Sequence, residues 1–133
     1  IMKQYAVEIW MAFAETFGDK DQFQQWLLHN GYPELAALSS AIKGSEEALA
    51  WLMKHQFFHF AAIDGAIDGQ TKAASWLLQH GFDAYFHLAG AVIQHEASVE
   101  WLKQAQLEIF LVVAVRIREW REQQTFDYHK KQF

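Results

Sequence analysis

Histidine and aspartate are the residues of this chain best suited to chemistry. There are seven histidines, and His55 and His59 stand four apart, the interval at which two imidazoles on one helix face hold a metal. An inter-helix turn is expected between these two, so they would not share a face, and no His-Glu-x-x-His pattern occurs. Asp64 is more informative, because its equivalents in the repeat described below are the small residues Ala14, Ser39, Ala89 and Ala114. A carboxylate at such an inward-tending position is paired, solvated in a groove, or functional. His59 and His87 fall on neighbouring helices of the same type and could approach Asp64 or Asp68, giving a metal site or an acid–base pair. The competing reading is a polar residue satisfied by hydrogen bonds at the edge of a helical stack. It is preferred, since isolated polar residues inside folds are usually just satisfied. No metal or cofactor is therefore expected. The chain has no cysteine, which removes disulfides, thiolate metal sites and cysteine nucleophiles. Nucleophile-elbow, P-loop and dinucleotide-binding signatures are also absent.

The elements that position these residues follow from a repeat. Trp26, Trp51, Trp76 and Trp101 are spaced by 25 residues, and each is followed by leucine. Twelve residues after each tryptophan stands Leu38, Ile63, Leu88 or Val113, and sixteen after it Ile42, Ile67, Val92 or Ile117. Gly44 and Gly69 mark one turn of the unit, Gly31 and Gly81 the other. Apolar residues within a unit step by three and four, as in Phe60, Ile63 and Ile67, which places them on one helix face. Each unit therefore holds two helices of about ten residues with tight turns between them. Helices this short need stacked neighbours.

The single domain 1–133 divides into a degenerate first unit (5–25), repeats 26–50, 51–75, 76–100 and 101–116, and a polar C-terminal cap helix over 117–131. The fold class is all-α, an α–α superhelix of about five helix pairs, with first helices in one layer and second helices in the other. The run Ile109–Val115 has strand-like composition, but its register assigns it to a first helix. Tryptophan at a fixed helical position beside leucine is expected in the core.

The stretch from Ala66 through Gly69 and Trp76-Leu77-Leu78-Gln79-His80 to Gly81-Phe82 resembles the ankyrin repeat, from the end of its first helix to its closing glycine. Ala41, Gly44 and Trp51-Leu52 are similar. The unit is about eight residues shorter than the usual ankyrin length and lacks the Thr-Pro-Leu-His signature. The resemblance implies a helix-pair solenoid without projecting hairpins, used for protein–protein recognition, with neither catalysis nor cofactor.

Composition narrows the partners. The formal charge is −5, so nucleic acid is not expected as a ligand. Arg116, Arg118 and Arg121 are interleaved with Glu119 and Glu122 and read as a salt-bridged, solvated face, with Lys130 and Lys131 beyond them. The longest apolar run falls far short of the ~20 residues of a membrane span. No signal peptide is evident, so a cytoplasmic protein is expected. Because the chain opens on Ile1, a piece of a longer array is a further reading.

The function expected is a non-catalytic protein-interaction scaffold that uses a concave surface on the first helices. Its contact residues are expected to be Glu34, Lys43, His59, Asp64, Asp68, Phe86, His87 and Arg118, with Phe58 and Phe86 as aromatic anchors if exposed. The alternative is a small metal-binding or acid–base domain built on His59, Asp64 and His87.

Overall fold

The computed structural model describes residues 4–131, with side chains described as far as Thr125. Among the described residues there are nine helices and no strand. They are α1 (Val7–Glu15), α2 (Gln22–His29), α3 (Pro33–Ile42), α4 (Glu46–Lys54), α5 (Phe58–Ile67), α6 (Thr71–Gln79), α7 (Asp83–Val92), α8 (Glu96–Gln104) and α9 (Glu108–Lys131).

The turns explain the period. Each second helix ends with a residue in the left-handed conformation, at Gly31, Gln56, Gly81 and Gln106. The amide of the next residue (Tyr32, Phe57, Phe82 or Leu107) donates back to the carbonyl of Leu27, Leu52, Leu77 or Leu102. This closes a Schellman turn, with an apolar residue folded back against the helix end. Gly44, Gly69 and Gln94 do the same after the first helices. Glutamine thus takes three slots that favour glycine, which is why the turn glycines look incomplete in the sequence.

Odd-numbered helices form an inner layer, and each of α2, α4, α6 and α8 packs across the two odd helices that flank it in sequence. The inner layer closes, because α1 packs against α9. Trp10 meets Phe110 with ring centroids 5.0 Å apart. Phe17 meets Trp120, and Arg116 reaches Glu15, at the other end of the same seam. Because residues at equal register meet, the inner helices run parallel. Their axial layer is Trp10, Leu35, Phe60, Tyr85 and Phe110, all buried. The concave surface expected on the first helices is therefore a filled core. Aromatic side chains this large bury more area against one another than they would lining an open groove.

Two further expectations are corrected. The repeat tryptophans are not core residues: Trp26 is 43% exposed and Trp51, Trp76 and Trp101 are half-buried, while Leu27, Leu52, Leu77 and Leu102 are fully enclosed. The indoles lie on the outside; Trp26, Trp51 and Trp76 are stacked on the turn aromatics Tyr32, Phe57 and Phe82, and Trp101 on His87. No helix boundary falls at residues 116/117. α9 is continuous because no glycine or proline interrupts it and its apolar face extends through Ile117. The side chains of Phe126, Tyr128, Lys130 and Lys131 lie outside the described residues.

Close approach within pairs needs small residues. A Cβ on Gly90 would stand 2.1 Å from Ser98 Oγ and 2.8 Å from Ser98 Cβ. Rotation of the serine relieves only the first clash. Gly90→Ala is expected to cost about 1–3 kcal/mol in overpacking, more than the ~1 kcal/mol alanine gains over glycine in a helix. A lowered denaturant midpoint with unchanged slope would show it. A raised midpoint would mean that α7 and α8 separate easily.

Candidate functional site

The residues singled out for chemistry are dispersed. His59, near the start of α5, stacks on Phe82 at 5.0 Å and on Tyr85 at 5.9 Å. Burial pushes its pKa down, and the charge of Glu34 opposes that shift. His87, in mid α7, faces the opposite way, stacked on Trp101 at 4.3 Å with Nδ1 2.9 Å from Ser98 Oγ. Its pKa is also lowered by desolvation, with Asp83 opposing. Asp64 lies near the C-terminal end of α5. Burial and the neighbouring Asp68 carboxylate raise its pKa to about 6, against the pull of Arg121. These three side chains do not share a site. Among the described residues no group of three or more histidines and carboxylates is arranged to hold a metal.

The remaining expected contact residues mostly serve the fold. Glu34 is 3% exposed, not a surface residue, and its Oε2 accepts the Tyr5 hydroxyl at 2.7 Å. Lys43 donates to the carbonyl of Thr16 and lies over the Phe17 ring. Arg118 donates to the carbonyl of Ala91. Arg121 bridges the Ile67 carbonyl and Asp68, 3.3 Å from its Oδ1. Cations at the carbonyl ends of α1, α5 and α7 meet the negative end of each helix dipole. Phe86 is half-buried, edge-on to His87, while Phe58 is exposed.

Asp64 has a measurable signature. Its folded-state pKa lies above the unfolded value of 3.8, so the folded state holds its proton more tightly. The stability this contributes is complete below the unfolded pKa and is lost as pH rises through about 6. Asp64→Ala, which installs the residue found at positions 14, 89 and 114, is expected to unfold at higher denaturant than the parent at pH 7. The gap should narrow toward pH 4. A variant less stable at pH 7 would mean that the Arg121 contact outweighs desolvation.

Two features on the outer face were not anticipated. A groove of about 340 Å³ between α2, α3 and α4 is lined by Leu28, Pro33, Ala36, Ala37, Ala48 and Trp51, among others. A second, of about 520 Å³, is lined by Met53, Phe58, Ala61, Ala62, Ala73 and Trp76, together with Lys72. The two sets correspond position by position, 25 residues apart. Leu28, Met53 and Phe58 stand exposed at the rims. At the third equivalent place Phe86 and His87 replace the alanine pair, and His87 packs against Trp101 and Ser98, the counterparts of groove-lining residues. The signal in the sequence was that change, from Ala36-Ala37 and Ala61-Ala62 to Phe86-His87.

Fold and site together define an all-helical protein of packed neighbouring helix pairs, consistent with a helical repeat. Comparison of the chain with family models, curated proteins and solved structures found no match. Among the described residues no helix is long and apolar enough to cross a membrane.

Proposed function

We propose that the chain is a non-catalytic protein-binding module that grips its partner through the tandem outer grooves. The observation that carries this reading is the pair of open apolar grooves in the same register, rimmed by Leu28, Met53 and Phe58. Groups of exposed apolar residues with polar surroundings mark interaction sites more often than isolated ones do. Neighbouring units packed at helix–helix distances, about 8–10 Å, would suit apolar side chains presented at regular intervals by one partner segment. The ankyrin-like half of each unit supports the same reading, since that resemblance implies protein recognition. A cytoplasmic setting belongs to this proposal.

Affinity capture with quantitative comparison tests it. Wild type, a Met53→Glu/Phe58→Glu variant and a Glu100→Gln control should be used side by side. A protein retained by wild type and the control but lost by the groove variant is the expected result. If every captured protein binds all three forms equally, the grooves are not the contact surface.

A further inference from the structure

The axial layer holds two polar atoms that the packing does not use. Tyr85 stands at the register of Phe60 and Phe110, so a phenyl ring suffices for this layer. Trp10 occupies the same level on α1, its ring centroid 6.1 Å from that of Tyr85. The two residues are only 7% and 5% exposed. Buried tyrosine hydroxyls and indole N–H groups normally find a partner. Among the described residues, neither Tyr85 Oη nor Trp10 Nε1 has one. The described buried side-chain atoms that are sealed off without a partner are Gln24 Oε1 and Arg116 Nε. The tyrosine hydroxyl and the indole N–H are therefore not sealed, and both residues border the same open space.

That space is a cavity of about 320 Å³ at the end of the ring where the inner helices begin. Among the described residues its walls are Tyr5, Trp10, Phe82, Tyr85, Leu107 and Phe110, completed by Gln4 and small residues, and none of these carries a charge. The volume is at the lower end of the range of small-molecule sites, roughly 300–1,000 Å³, and apolar walls with few polar groups are their usual make-up. The indole N–H can only donate, and the hydroxyl can donate as well. Desolvation raises the Tyr85 pKa to about 12, so the hydroxyl keeps its proton at neutral pH.

We propose that this axial cavity binds a small, uncharged cyclic molecule whose carbonyl-type oxygen accepts hydrogen bonds from Tyr85 and Trp10. The aromatic walls supply the affinity for the ring system. Among the described wall residues an anion would meet no cation, and a cation no carboxylate. The site is separate from the outer grooves and does not depend on how they are used.

The test uses 1-tetralone as probe and tetralin, the same bicycle without the oxygen, as its control. Both are titrated into the full chain while the assigned indole N–H resonance of Trp10 is followed by NMR. Tetralone should shift that resonance saturably, and tetralin should bind about a hundredfold more weakly, the ratio two net hydrogen bonds supply. Tyr85→Phe should weaken tetralone about tenfold, leave tetralin unchanged and melt like wild type, since phenylalanine already fills this register. Failure of tetralone to shift the Trp10 resonance overturns the proposal. So does equal affinity of the two probes for wild type, which decides the matter even if the variant does not fold.

Discussion

Trp10→Ala should destabilise the folded chain by about 3–5 kcal/mol, the range for deleting a large buried aromatic. The indole is 5% exposed and makes edge contacts with Phe13 at 5.5 Å and Phe110 at 5.0 Å. It also joins α1 to α7 and α9 at the seam where the ring closes. A domain with the usual 5–15 kcal/mol of stability could lose most of it. Urea unfolding read by circular dichroism would measure the loss, with Trp10→Phe as the volume-sparing control. A cost below about 1 kcal/mol would mean that α1 is not locked against α9 in solution, and the closed inner layer would have to be abandoned.

Tyr5→Phe should have the next largest effect, about 1.5–3 kcal/mol, the range for a hydrogen bond to a charged group. The Tyr5 hydroxyl donates to a carboxylate that is almost wholly enclosed. A buried carboxylate is tolerated only while its hydrogen bonds persist, and the phenylalanine variant removes one. Desolvation and the nearby Glu34 raise the Tyr5 pKa, so the hydroxyl remains a donor across the accessible pH range. A double-mutant cycle isolates the interaction. In a Glu34→Gln background the same tyrosine change should cost about 1 kcal/mol, the value for a neutral bond. Equal costs in both backgrounds would place the role of Tyr5 in its ring contacts with Trp10 and Tyr32.

The sequence made the helices legible because the repeat did. Tryptophan–leucine pairs fixed the period, and the three-and-four spacing of Phe60, Ile63 and Ile67 fixed the buried face. Three of the turns were masked by Gln56, Gln94 and Gln106, which adopt a backbone shape usually left to glycine. Closure was not legible. It depends on the small rotation from one pair to the next, a property of packing angles, not of any residue. A hint existed in Trp10, Phe60, Tyr85 and Phe110, which share one register and are too bulky for an open concave face. The candidate site fared worse. His59 and His87 are close in register, but one faces Phe82 and Tyr85 and the other faces Trp101, and sequence spacing does not report which side of a helix meets which neighbour. The outer grooves had a signal in the paired alanines Ala36-Ala37 and Ala61-Ala62, whose small side chains leave space between neighbouring helices.

The seam between α1 and α9 also bears on how the protein comes apart. In a linear array each unit leans only on its neighbours, so end units fray and unfolding spreads along the chain by degrees. Here the contact of Trp10 with Phe110 couples segments a hundred positions apart, and neither end unit has a free inner flank. Loss of any one unit takes the seam with it, which favours a single all-or-none transition. The same contact lengthens the search during folding, because a long loop must close before the last aromatic pair can form. The protein should therefore fold more slowly, and melt more sharply, than an unclosed stack of the same helices.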